Sequence, residues 1–206
     1  MVLLTTANKT PRIAKSRPVR IAIIITQKTN DLHATVPCFL WRKARYAVDL
    51  ISAEAKASIM LEMGIHVRCD NTLSKTNFNQ YTAAFIPHGN TTRLVEIDKL
   101  RKDLEKFVYK PKGPMRWLFS SGNGACVLKE FDLIAPDQLV TVQNEKEMVK
   151  LLGKNFIKQP VHVDKNIISC ANSCGLTKFS FKVIEELSGI ELARKTANLV
   201  DHIYKG

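Results

Sequence analysis

The residues best placed for chemistry stand in the stretch RWLFSSGNGACVL, residues 116–128. An apolar run ends at Ser120, small residues follow as far as Gly124, and a helix-like pattern comes next. This succession of strand, sharp turn and helix is where many α/β enzymes hold their nucleophile. The candidate nucleophile is Ser120, although no G-x-S-x-G motif surrounds it. Its hydroxyl would need a general base within hydrogen-bond reach.

The five cysteines have the spacing of neither a disulfide framework nor a zinc site. The pattern favours a reduced compartment, and we expect neither a metal nor a cofactor. Cys126 follows the turn and is predicted to lie on the buried face of the helix, while Cys170 ends an apolar strand. Both are expected to be small, inert core residues.

The charge balance points to an acidic partner. Among 206 residues, 31 are Lys or Arg and 19 are Asp or Glu, which gives a formal net charge of +12. Such an excess favours RNA, a microtubule-like lattice or another acidic protein assembly, and a solvated basic surface is the alternative. Trp41 beside Arg42, Lys43 and Arg45 could form a base-stacking patch. The alternative is a helix whose tryptophan packs on a neighbour.

Residues 1–18 are predicted to form a basic N-terminal arm, and residues 19–206 a single domain. The arm contains no acidic residue, which is also typical of a mitochondrial targeting peptide. We expect a cytoplasmic protein, and the composition of this arm makes the mitochondrion the alternative. The longest apolar run, residues 21–25, is far too short to cross a membrane.

Strands and helices alternate along the rest of the chain. The predicted strands are residues 20–26, 48–53, 83–87, 115–119 and 139–142, followed by a hairpin of 162–163 and 167–170. The predicted helices are residues 35–47, 93–109, 124–130, 177–189 and 191–204. This alternation predicts an α/β fold with a mostly parallel sheet covered on both faces. Sites in such sheets lie at the carboxyl ends of the strands, which is where Ser120 stands.

Five pieces in this order resemble the ThiJ/PfpI superfamily, the group that includes the Parkinsonism-associated deglycase. They are VRIAIIIT, LHATVP, AAFIPHGN, WLFSSGN and IISCANSCGLTKFSFKVIEELSG. The resemblance runs from about residue 19 to residue 200. It implies a flavodoxin-like three-layer sandwich, a class I glutamine amidotransferase-like fold, and a homodimer.

The resemblance also implies that the active site is degenerate. The nucleophilic cysteine of the superfamily corresponds to Ser120, and the glutamate that tunes it corresponds to His33. The first glycine of the superfamily's Pro-Gly-Gly turn corresponds to His88, and only Gly89 is kept. A serine cannot follow the oxidation chemistry of a thiol.

Two further positions depart from the superfamily pattern. The histidine that many members place beside the cysteine falls near Gln143. The late Gly-Pro-Gly loop is reduced to Ser173-Cys174-Gly175. Cys174 is the one thiol in that loop and could replace the lost nucleophile.

Three functions remain open. The first is a non-catalytic structural or binding subunit of a larger assembly, in which His33 and His88 fill the pocket and hydrogen-bond to Ser120. The second is a remodelled hydrolase or glyoxalase/deglycase-type enzyme. It would use Ser120 with a histidine as base, and the N–H groups of Gly89 and Ser121 as an oxyanion hole. The third is a stress-response protein with residual family activity.

Overall fold

The computed structural model describes residues 18–109 and 113–206. Its strands are β1 (Arg20–Ile25), β2 (Ala47–Ser52), β3 (Ser58–Met60), β4 (His66–Arg68), β5 (Asn71–Thr72), β6 (Ala83–Ile86), β7 (Trp117–Ser121), β8 (Val161–Asp164) and β9 (Ile167–Cys170). Its helices are α1 (Asp31–Lys43), α2 (Thr91–Val95), α3 (Asp98–Val108), α4 (Gly124–Glu130), α5 (Lys146–Leu152), α6 (Leu176–Ser188) and α7 (Ile190–Asn198).

The described strands form a seven-stranded sheet in the order β5-β2-β1-β6-β7-β9-β8, with β3 and β4 as a separate antiparallel pair. Neighbours in the large sheet are parallel except β8 and β9. Strand order reverses between β1 and β6, and ligands of such sheets bind at this switch point, beyond the carboxyl ends of the strands. The predicted α/β sandwich with a mostly parallel sheet is confirmed.

Each face of the sheet has its own apolar core. Helices α1, α6 and α7 cover one face, where Trp117 and Phe119 of β7 pack with Trp41. Helices α3, α4 and α5 cover the other face, where Leu118 packs. Because successive strand residues point to opposite faces, Ser121 faces the α1 side and Ser120 faces the α4 side.

Several predicted elements differ in their bounds. Helix α1 begins at Asp31 rather than residue 35, because the side chain of Asn30 accepts a hydrogen bond from the N–H of His33 and caps the helix. The predicted helix 93–109 is two helices, since Ile97 has an extended backbone between α2 and α3. The last helix ends at Asn198.

The predicted strand 139–142 is wrong, because the segment makes only an isolated bridge between Val140 and Phe156. Helix α5 was not predicted. Residues 1–17 of the predicted basic arm lie outside the described residues, and the boundary of the single domain stays a prediction. Within residues 18–109 and 113–206, no helix has the length and apolar character needed to cross a membrane.

Candidate functional site

The turn between β7 and α4 is made by Gly122, which has a left-handed φ of 53°. Ser120 and Ser121 still belong to the strand, and the helix starts at Gly124. A nucleophile elbow carries its reactive side chain on the strained residue between strand and helix. That residue is Gly122, two positions after the predicted Ser120, so the prediction that Ser120 stands at the turn is wrong.

The side chain of His88 occupies the space beside Gly122. A Cβ built on Gly122 would lie 2.5 Å from His88 Nδ1 and 2.7 Å from His88 Cβ. The backbone N–H of Asn123 donates to His88 Nδ1 at 3.2 Å. In this bond Nδ1 is the acceptor, which leaves Nε2 as the ring nitrogen that can donate.

Asn123 also ties Gly89 to the turn. The N–H of Gly89 donates to Asn123 Oδ1 at 3.0 Å, and Asn123 Nδ2 donates to the Gly89 carbonyl at 2.8 Å. A Cβ on Gly89 would lie 2.5 Å from Thr29 Cα, so the loops after β1 and β6 are in tight contact. The prediction that the Gly89 N–H is an oxyanion-hole donor is wrong, because this N–H already donates to Asn123 Oδ1.

His33 forms hydrogen bonds with two serines on the side of the sheet that α1 covers. Its Nδ1 lies 2.8 Å from Ser121 Oγ, and its Nε2 lies 3.0 Å from Ser173 Oγ. A neutral imidazole has one donor and one acceptor nitrogen, and a hydroxyl can complement either. Burial lowers the pKa of His33 to about 4, and the nearby His88 contributes. The ring is therefore neutral at pH 7 and a weak base.

Neither histidine bonds to Ser120, contrary to prediction. Ser120 is fully buried on the α4 side, and its Oγ has no hydrogen-bond partner within the described part of the chain. His33 reaches the other face of the sheet, where Ser121 is its partner. A Ser120–His33 dyad is thus excluded by strand alternation, and the histidine–serine contact belongs to Ser121.

Cys126 and Cys170 are not activated thiols, and the role predicted for Cys174 stays a prediction. Burial raises the pKa of Cys126 to about 11 and that of Cys170 to about 12, the opposite of what a reactive thiolate needs. Cys170 is fully buried, as predicted, whereas Cys126 is only half-buried. Cys174 is exposed, next to Ser173, and Gln143 is also exposed.

Two predictions for helix α1 are settled by burial. Trp41 is fully buried, its N–H donates to the Ser180 carbonyl at 3.1 Å, and it cannot stack on a nucleic-acid base. The alternative, a tryptophan packed on its neighbours, is confirmed. Asp31, at the start of the same helix, is also buried, and its Oδ2 accepts the Met63 N–H at 2.8 Å.

Sequence reasoning did not assign Gly122 or Asn123 to the site, and it named Ser173 only as part of the late loop, without its contact to His33. A glycine between polar residues at the end of a strand is a recognisable signal for a left-handed turn. The partners of Asn123 lie in the loop after β6 and the partner of Ser173 lies in α1. Because these segments are distant along the chain, the contacts leave no local pattern. Within the described residues, no cluster of three or more His, Cys, Asp or Glu side chains could hold a metal ion.

Comparison with known proteins gives one family. Residues 19–186 match the profile of the DJ-1/PfpI family. The putative cysteine protease YraA of Bacillus subtilis is 24% identical over 161 residues, covering 78% of this chain and 94% of that protein. The uncharacterized protein SH1084 of Staphylococcus haemolyticus is 25% identical over 175 residues, covering 82% and 97%.

Solved structures share the fold. Oxidized DJ-1 of Toxoplasma gondii superposes with a TM-score of 0.82 at 18% identity, covering 90% of this chain and all of that one. At this identity the match concerns the fold alone.

Proposed function

The chain belongs to the DJ-1/PfpI family, and we propose that it is a non-catalytic member that works as a binding or structural subunit of a larger assembly. The observation that carries the proposal is the turn after β7. The residue with the left-handed backbone, Gly122, has no side chain, and the ring of His88 fills the space in front of it. A nucleophilic side chain at residue 122 would overlap the side chain of His88.

The surrounding groups support the same conclusion. Ser121 is hydrogen-bonded to a histidine, as in a Ser–His pair, but Ser121 is fully buried and His33 is 2% exposed. A substrate could not reach either group without opening the site. His33, with its pKa lowered to about 4 by burial, is also too weak a base to deprotonate a serine effectively near neutral pH.

The test is an activity assay on the purified full chain. Methylglyoxal consumption and p-nitrophenyl acetate hydrolysis represent the glyoxalase/deglycase-type and hydrolase alternatives. We expect background rates, unchanged in Ser120→Ala, Ser121→Ala and Cys174→Ser. Turnover that disappears in any one of these folded variants would establish a remodelled enzyme or residual family activity instead.

The proposed partner is an acidic macromolecule, and the supporting observation is the net charge of +12. Exposed charge contacts are screened beyond about 8 Å at physiological salt, so the association should weaken as salt is added. Binding of the full chain to RNA and to assembled microtubules is measured at low and at physiological salt. Binding to neither, or binding that ignores salt, contradicts this part of the proposal. We place this activity in the cytoplasm, with the mitochondrion as the alternative.

A homodimer is proposed as well, because α1 presents an apolar face. Leu32 and Phe39 are two helical turns apart on the same side, and each is 53% exposed. The exposed Met63 adjoins the start of this helix, since its N–H donates to Asp31. Light scattering should give the mass of two chains, and Phe39→Glu should give one. Met115→Glu, at an exposed position before β7, is the control that should remain dimeric.

A further inference from the structure

The contact between His88 and the turn is too close to admit a second side chain. A Cβ on Gly122 would lie 2.5 Å from His88 Nδ1 and 2.7 Å from both Cβ and Cγ of His88. Carbon atoms in favourable contact are roughly 3.5–4.0 Å apart. The clash therefore involves the stem of the histidine as well as its ring.

A change of rotamer would not relieve this clash. Rotation about χ1 moves the ring but leaves His88 Cβ in place, 2.7 Å from the position of a Cβ at residue 122. The His88 backbone is held as well, because its carbonyl accepts the Asn30 N–H at 2.9 Å. A side chain at residue 122 thus requires the side chain at residue 88 to be removed.

We propose that residues 88 and 122 share a single side-chain space, and that His88 is the residue that keeps the turn after β7 closed. The inference rests on the proposed function and deepens it, because it names the residue responsible for closure. Without His88, the vacated space is a site for a neutral nitrogen heterocycle the size of imidazole. Such a ligand would accept the freed Asn123 N–H and lie near the His33 ring, whose centroid is 5.2 Å from that of His88.

A stability cycle tests the shared space. Gly122→Cys is made in three backgrounds: the natural chain, His88→Ala and His88→Gly. In the natural chain it should lower Tm by roughly 5–15 °C, from overpacking and from the left-handed backbone together. The loss should be smaller in His88→Ala, which keeps the Cβ, and smallest in His88→Gly. An equal loss in all three backgrounds would overturn the proposal.

Imidazole binding tests the vacated site without relying on Gly122→Cys. At a pH where imidazole is neutral, the Tm of His88→Gly should rise and saturate with millimolar imidazole, while the natural chain should not respond. The double variant His88→Gly/Gly122→Cys should also fail to respond, because the thiol side chain fills the space. No rise in His88→Gly, or an equal rise in the double variant, would contradict the site.

These outcomes are separable from those of the activity assay. Turnover by the natural chain would overturn the proposed function and leave the stability cycle unchanged. Equal losses across the three backgrounds would overturn the shared space and leave the absence of turnover unchanged.

Discussion

Ser120 and Ser121 are neighbours in strand β7, yet they lie in different environments. Ser121 faces α1, where its hydroxyl pairs with His33, which in turn reaches Ser173. Ser120 faces α4, where its hydroxyl is buried without a partner among the residues described. Both side chains are fully buried. The difference shows that one step along a strand separates a satisfied polar network from an unsatisfied polar atom in an apolar core.

The chemistry of the site therefore follows from which face of the sheet a side chain joins. A serine beside a strand-to-helix turn looks reactive in the sequence, whichever of the two positions it occupies. In the structure, Ser121 is hydrogen-bonded to His33 and is buried under α1, whereas Ser120 is hydrogen-bonded to none of the described histidines. The largest effect predicted by this comparison concerns the helix that seals the Ser120 face.

Replacing Gly124 by alanine should disrupt the α4 side severely. A Cβ there would lie 2.1 Å from the Ile86 carbonyl oxygen, a backbone atom that cannot rotate away. We expect a loss of about 3 kcal/mol or more in the free energy of unfolding, measured by urea denaturation. Gly64→Ala is the control, because no atom lies within 4 Å of its Cβ position and only its positive φ of 90° opposes the change, so its loss should be smaller. Equal losses would mean that α4 can move away from the sheet.

The Ser121 side should respond to pH through His33. Burial lowers the pKa of His33 to about 4 in the folded chain, below the ordinary value of 6.5. In the pH range between these two pKa values the unfolded chain binds a proton that the folded chain does not. The free energy of unfolding therefore falls as pH drops through this window, by about 3 kcal/mol. Urea denaturation at a series of pH values should show this loss in the natural chain and in the control His66→Gln. A slope that persists unchanged in His33→Gln would refute it.

Ser121→Ala should leave the Nδ1 of a buried histidine without its partner. An unsatisfied buried polar atom costs about 1–3 kcal/mol, and that is the destabilisation expected in denaturant titrations. Ser173→Ala should cost less, because Ser173 is exposed and water can replace its hydroxyl. If Ser121→Ala is neutral, the bond between His33 and Ser121 does not stabilise the fold.

The smallest effect is expected at Ser120. Removing its unpartnered hydroxyl should leave stability within about 1 kcal/mol of the natural chain, on the stabilising side. Ser169→Ala is the matched control, since Ser169 is paired in register with Ser120 and its Oγ accepts the Thr141 N–H at 2.9 Å. We expect only the control to be destabilised. A clear loss in Ser120→Ala would mean that this hydroxyl has a partner after all.

Much of the fold could be predicted from local patterns. The β-branched run of β1 and the apolar periods of α3 and α6 depend on neighbours in the chain, and so they identified a parallel sheet between helices. Helix α5 and the bridge at Val140 were missed or misassigned, because short segments carry little periodicity and depend on tertiary contacts.

The candidate site could be predicted only in part. His33, His88, Gly89 and Ser121 were named from the sequence, and the structure brings them together at the carboxyl ends of β1, β6 and β7. Which of these residues hydrogen-bond to one another could not be predicted from the sequence. His33 and Ser121 are 88 residues apart, and His88 and Asn123 are 35 apart.

The amino-acid sequence by itself determined the alternation of strands and helices, the basic charge and the small-residue turn after β7, because these depend on composition and local period. The tertiary structure alone decided that Gly122 makes the turn, that Ser121 rather than Ser120 meets a histidine, and that the ring of His88 closes the site. Those outcomes depend on strand register and on contacts between distant segments, and a shift of one residue would exchange the two serines between the faces of the sheet.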